Sequence, residues 1–329
     1  MSKKEEDFGF DFKKISNFFK KSNKTIKSKN IKSDDDFGLN FSLLKTIFSN
    51  KVFLTIILIL IPMFFSIFFR AYSINLPVTD DWAYSSAISN IRNQITGQIN
   101  QQYPNLPSMN KNQLIDEQVA LVFEQQGAQI NQQIEQTSQF FKTKFQDESG
   151  QTYLLAIDPY FYYRYARNLV EKGHYGDSVS NGVHYDDHMY APIGRTMPLN
   201  AHPFIEYYLY KLVSFFNKNV SLMAVVFFIP IILSALCVIP AFFIAKRRAG
   251  YFGGFITAMF IAVQTSFLGR TAGGFADTDA YNVLFPLLIA WIFLEAFETT
   301  NLKKKISLSF LASLLMGLFS FIWVGWWYI

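Results

Sequence analysis

Five apolar runs, each near the ~20 residues that a helix needs to cross a bilayer, constrain this chain more than any other feature. They are Val52–Phe69, Leu222–Ala245, Phe252–Leu268, Ala280–Phe297 and Ile306–Ile329. Of the 329 residues, 50% are hydrophobic and 18% aromatic, with 36 Phe, which is more apolar surface than one soluble core can hide. The runs therefore predict an α-helical membrane protein of several spans whose polar remainder lies in water. The first run reads as a retained span. It follows a polar segment, lacks a small-residue cleavage site and continues into Phe68-Phe69-Arg70, unlike a signal peptide.

Basic clusters orient the spans. Lys residues crowd the stretch from Lys3 to Lys51, Lys246-Arg247-Arg248 follows the second run, and Lys303-Lys304-Lys305 follows the fourth. If the helices alternate, all three clusters share one side, which places the N-terminus in the cytoplasm. The expected layout is a Lys-rich, mostly disordered tail over 1–50, a first span over 51–70, a large extracytoplasmic loop over 71–221 and four further spans over 222–329. Phe8, Phe10, Phe12, Phe18 and Phe19 among the tail lysines also fit an interfacial helix on an anionic leaflet. The net charge of +5 resides largely in these clusters, and no nucleic-acid partner is expected. A single cysteine, Cys237, excludes an intramolecular disulfide and any cysteine-based zinc site.

The loop divides in two. Residues 80–149 are rich in Gln and Asn, with Ile88, Ile91, Ile95 and Ile99 and later Val119, Val122, Ile130 and Ile134 at helical spacing. That pattern predicts a helical hairpin broken at Pro104 and Pro107, an insertion without chemistry of its own. Over 157–205, aromatic and turn residues dominate, and a site is expected there. Asp158-Pro159 reads as a helix start with Asp158 as N-cap and Gly173 as the stop, though a capping carboxylate has a second oxygen free for a metal. His184-Tyr185-Asp186-Asp187-His188 has metal-ligand residue types but reads as a solvated loop. Asn219-Val220-Ser221 is an acceptor sequon crowded against the second span.

The stronger acidic signal lies at 269–280, between the third and fourth spans, where Arg270 precedes Asp277-Thr278-Asp279. One aspartate suffices to cap a helix or pair with Arg270, so the doublet points to a hard divalent cation, Mn²⁺ or Mg²⁺. Arg270 offers a fork matched to phosphate, and the N-terminus of the fourth span adds positive potential. Together they describe a phosphate-bearing ligand held at the outer membrane surface.

Three patches, Asp158-Pro159-Tyr160 with Tyr163-Arg164, Tyr190-Ala191-Pro192-Ile193-Gly194-Arg195, and Arg270 through Asp279, resemble the catalytic subunit of asparagine-linked oligosaccharyltransferases, closest to the archaeal AglB type. The resemblance covers most of residues 50–329 and implies a multi-span GT-C-type helix bundle with a large first extracytoplasmic loop. It implies that Asp158, Asp277 and Asp279 bind the metal, that Asp158 and Asp277 are catalytic, and that Arg270 contacts the lipid-linked donor. It further implies transfer of an oligosaccharide from dolichyl or polyprenyl phosphate or pyrophosphate to proteins bearing Asn-x-Ser/Thr. The chain departs from the family at Ala156, where an acidic residue is common, and at Ala191, which replaces the family's Tyr-Pro adjacency.

The family continues to about thirteen helices and a Trp-Trp-Asp-Tyr-Gly motif in the bundle and domain that complete its site, whereas this chain ends at Trp326-Trp327-Tyr328-Ile329. The expectation is a fragment or split gene, inactive alone, whose missing half a separate chain supplies. Competing readings are a protein O-glycosyltransferase of GT-C architecture, a transporter and a non-catalytic membrane subunit. A transporter predicts acidic residues at mid-membrane in broken helices, whereas these lie at helix ends.

Overall fold

The computed structural model describes residues 50–329 apart from Pro198; of the tail expected over 1–50, all but Asn50 lies outside them. α1 (Lys51–Ala71) is capped by Asn50, whose side chain accepts from the Val52 and Phe53 amides. α1 together with the short turn after it, α6 (Leu222–Val263) and α8 (Asp279–Glu298) are long and apolar enough to cross a membrane.

α6 spans 42 residues, twice what a bilayer needs, and is interrupted at Gly250 (φ 66°, ψ −165°). Val238 and Phe242 before the break pack with Ala258 and Ala262 after it, so the two halves fold back side by side, with Leu58, Ile59 and Met63 of α1 against them. Gly254 permits this close approach: a Cβ there would lie 2.9 Å from the Phe242 carbonyl oxygen. The second and third expected spans are these two halves. The latter stops at Val263 rather than Leu268, because the Ala262 carbonyl is taken by Arg70 and the Gln264 side chain caps the next short helix, α7 (Thr265–Arg270).

α8 packs on α6 and on α9 (Leu302–Ser320). At one end of the bundle Arg247 pairs with Glu295 and Glu298, at 3.3 and 2.7 Å. The run expected to remain helical to Ile329 is α-helical only to Ser320. The carbonyls of Phe321 and Ile322 turn aside to accept from the Ala201 amide and the Asn200 side chain, at 2.8 and 3.1 Å.

Between α1 and α6 the chain first forms α2 (Val78–Gln102) and α3 (Ser108–Lys144), separated at Pro104 and Pro107. Ile95, Ile99 and Ile115 form their shared apolar seam. α4 (Ile157–Lys172) follows and ends at Gly173 in the left-handed region. A small antiparallel sheet then has the order β1 (Ser178–Ser180), β2 (Val183–Asp186), β3 (Arg195–Thr196), with Tyr185 opposite both Ser178 and Thr196. α5 (His202–Phe216) packs on α4 and α6.

The fold-back of α6 is open to test. Gly254→Leu is expected to cost about 1–3 kcal/mol through overpacking, read as lowered thermal stability in detergent. Gly317→Leu, with nothing within 4 Å of its Cβ position, should leave it nearly unchanged.

Candidate functional site

The acidic turn after α7 is built on two adjacent glycines. The Gly273 amide donates to the Arg70 carbonyl and the Gly274 amide to the Phe227 carbonyl, both at 2.9 Å. A Cβ at Gly273 would lie 2.5 Å from the Phe227 ring, and one at Gly274, whose φ is +88°, would lie 2.8 Å from it. The Gly274 carbonyl then accepts from the Leu155 amide at 3.0 Å, three residues before Asp158. This single bond docks the start of α4 on the turn that carries Asp277 and Asp279, around a core of Leu154, Ala166, Val226, Phe227 and Ala276.

Arg70, fully buried at the end of α1, anchors the other flank. Its Nε donates to the Thr271 hydroxyl at 2.8 Å and its Nη1 to the Ser66 hydroxyl and the Ala262 carbonyl, at 2.9 and 2.8 Å. These neutral acceptors take up Nε and Nη1, Nη2 has no hydrogen-bond partner among the described residues, and the guanidinium lies 4.8 Å over the Phe267 ring.

Asp158 is not the N-cap of α4. The helix begins at Ile157 behind an extended Ala156, which moves Asp158 into the first turn and leaves Pro159 where a missing amide costs nothing. Among the described residues the exposed Asp158 carboxylate has no hydrogen-bond or ion-pair partner. Asp277 accepts from the Thr278 amide. Asp279 opens α8 and is held by Arg270, Nε to Oδ2 at 2.7 Å, while the same guanidinium lies 4.8 Å over the Phe275 ring. Tyr162 of α4 faces this group: burial pushes its phenol up to about 12, and the Asp277 and Asp158 charges push it the same way.

Three of the four predicted residues, Asp158, Asp277 and Asp279, thus share one electrostatic neighbourhood, and Arg270 closes it. They do not meet as a ready ligand cage. Among the described residues, the trio of potential ligands within 4.8 Å of one another is instead Asp177, Asp186 and His188. The solvated-loop reading of His184–His188 needs correction here, because Asp186 is fully buried. Arg164 pairs with both Asp177 and Asp186, at 3.0 and 2.9 Å, and Tyr165 donates to Asp186, so the two carboxylates share one guanidinium and further donors. Burial opposes ionisation of Asp186, but donors from Tyr165, Arg164 and the His188 and Met189 amides outweigh it and hold its pKa at about 2. Gly194 (φ +72°) lets the Tyr190–Arg195 patch close over this network, since a Cβ there would lie 3.0 Å from the Asp186 carbonyl oxygen.

Sequence reasoning did not single out His202 or Glu206. Both are fully buried at the start of α5, beneath the acidic turn, with His202 Nε2 lying 3.2 Å from Glu206 Oε1. Burial raises the Glu206 carboxyl above the usual range and His202 opposes the shift. Their i, i+4 spacing was the available signal.

The family described as oligosaccharyl transferase STT3, N-terminal, matches residues 129–329. The chain belongs to this STT3 family. It is 33% identical over 199 residues to the dolichyl-phosphooligosaccharide-protein glycotransferase of Methanococcus voltae, covering 58% of this chain and 22% of that protein. It is 34% identical over 202 residues to the protein of the same description from Methanocaldococcus jannaschii, covering 56% and 21%. The chain thus spans about a fifth of the length of these relatives. A solved structure of the Archaeoglobus fulgidus oligosaccharyltransferase with zinc and sulfate is similar at a TM-score of 0.44 and 21% identity, over 52% of this chain and 22% of that one. Asp158, Arg270, Asp277 and Asp279 all fall inside the STT3 match. This STT3 chain is a mostly helical, multi-pass membrane protein.

The Asp186 network carries a pH prediction. A carboxyl lowered from 3.8 to about 2 contributes about 2 kcal/mol. That stability is fully present above about pH 4 and is lost as pH falls through about 2. Asp186→Asn should therefore lower unfolding stability in detergent at pH 6, and the gap to the unaltered protein should narrow steadily between pH 4 and pH 2.

Proposed function

We propose that this chain forms the donor-phosphate and metal-binding part of an enzyme that transfers an oligosaccharide from a dolichyl or polyprenyl phosphate or pyrophosphate to the Asn amide of Asn-x-Ser/Thr sequons. The observation that carries the reading is the Leu155–Gly274 hydrogen bond, which joins Asp158 to the Asp277–Asp279 turn beside Arg270. The relatives named dolichyl-phosphooligosaccharide-protein glycotransferase support the same class of reaction.

In the transfer, the bond from the sugar anomeric carbon to phosphate oxygen breaks, a bond to the amide nitrogen forms and the amide gives up a proton. An amide nitrogen is a poor nucleophile, so the site must orient it and stabilise the departing phosphate. Asp158, exposed and without a partner among the described residues, is free to accept a hydrogen bond from the acceptor amide. Arg270 exchanges Asp279 for the donor phosphate, a charge-assisted contact of the kind guanidinium groups favour. That exchange releases Asp279 to act with Asp277 and Asp158 as a set of oxygen ligands suited to Mn²⁺ or Mg²⁺. Such a cation supplies neutralisation of charge on the leaving phosphate. The N-terminus of α8 adds positive potential at the same place.

The acidic turn is read as extracytoplasmic. α8 runs from Asp279 to Glu298, where Arg247 meets it, so Lys246-Arg247-Arg248 and Lys303-Lys304-Lys305 share the end opposite the acidic turn. Such clusters mark the cytoplasmic side.

Asp277→Ala is expected to reduce glycopeptide formation by at least about a hundredfold, the scale of losing a group that stabilises developing charge. The assay supplies a lipid-linked oligosaccharide and an Asn-x-Thr peptide to membranes holding the enzyme, with melting behaviour as the control for folding. Near-normal transfer by a folded variant would defeat the assignment.

A further inference from the structure

His202 grips the acidic turn from below at both of its ends. Its Nδ1 lies 3.0 Å from the Tyr281 hydroxyl, two residues after Asp279, and its Nε2 lies 3.3 Å from the Ala276 carbonyl oxygen, one residue before Asp277. The ring is wedged edge-on between Tyr162, at 4.9 Å, and Tyr281, at 5.3 Å. It is itself fixed from outside the turn. The Asn200 side chain accepts from the His202 amide at 2.8 Å, and Asn200 and Ala201 are tied to the carbonyls of Ile322 and Phe321.

Glu206 lies one helical turn on, with no exposed surface, and neither carboxylate oxygen has a hydrogen-bond partner of good geometry among the described residues. His202 is the cation or donor within reach, at 3.2 Å. A carboxylate left this dry costs stability unless it is matched. Its placement behind an imidazole, which in turn contacts the backbone next to a proposed metal-ligand pair, is the arrangement by which an outer shell orients ligands.

We propose that the His202–Glu206 pair is the positioning device of the acidic turn, with His202 holding Ala276 and Tyr281 so that Asp277 and Asp279 converge on a hard divalent cation. Glu206 sets the orientation of the ring. The inference rests on the metal reading given under Proposed function, and Mn²⁺ itself is the probe.

The test is Mn²⁺ affinity of the whole chain in detergent, measured by electron paramagnetic resonance titration, with thermal unfolding recorded alongside. His202→Ala should weaken binding about 10–100-fold, the usual scale for losing an outer-shell partner. His202→Gln, which can still donate toward the Ala276 carbonyl, should recover most of it. Tyr281→Phe removes only the hydroxyl and keeps the ring, and it should weaken binding about tenfold with little change in melting; it decides the matter if His202→Ala does not fold. Equal Mn²⁺ affinity in unaltered and variant chains would overturn this inference alone. No Mn²⁺ binding by the unaltered chain would overturn the metal reading, and this inference with it.

Discussion

Everything near the candidate site depends on how closely the backbone at Gly273-Gly274 approaches Phe227. Two amides of the turn are spent on carbonyls of α1 and α6, and the next carbonyl receives Leu155. No side chain fits between, since even a methyl group at either glycine would enter the Phe227 ring. A turn held by main-chain bonds on three sides has little freedom to drift. The carboxylates it carries therefore inherit their positions from the membrane helices rather than from a loop.

Charge is managed differently on the two sides of that turn. Toward the bundle, the buried Arg70 gives its Nε and Nη1 to hydroxyls and carbonyls of α1, α6 and the residue after α7, with no carboxylate among these acceptors. Toward the loop, Arg164, Asp177, Asp186 and Tyr165 form a hydrogen-bonded network that fastens the small sheet to α4. Between them, Asp158 has no hydrogen-bond or ion-pair partner among the described residues, and Asp279 is paired with Arg270. Asp186 is saturated with donors, whereas Asp158 has none among the described residues, and that contrast distinguishes the two acidic groups better than residue type does.

Much of this was legible in the chain itself. Apolar runs located the helices α1, α6 and α8 that are long and apolar enough to cross a membrane, Pro104 and Pro107 located the break between α2 and α3, and Gly173 located the end of α4. The acidic doublet behind Arg270 was conspicuous because one aspartate would have met the needs of a cap. Other features were illegible for definite reasons. Asp158 was misread as a cap because Asp-Pro fits two helix registers, and only the extended backbone of Ala156 chooses between them. Asp186 was read as solvated because its partners Arg164 and Tyr165 lie twenty or more residues away. His202 was not singled out because nothing local shows that Ala276 and Tyr281 close over it.

The sequence by itself determined that this is a helical membrane protein and which short segments could carry charge chemistry, because hydrophobic length and helix-terminal residues act over a few neighbours. Tertiary structure alone decided which carboxylates are neutralised, where the third and last apolar runs stop, and that Asp158 faces the Asp277–Asp279 turn. Those outcomes rest on single hydrogen bonds between residues far apart in the chain, such as Leu155 to Gly274 and Ala201 to Phe321. Such bonds exist only once the packed helices have excluded water and left each donor one acceptor within reach.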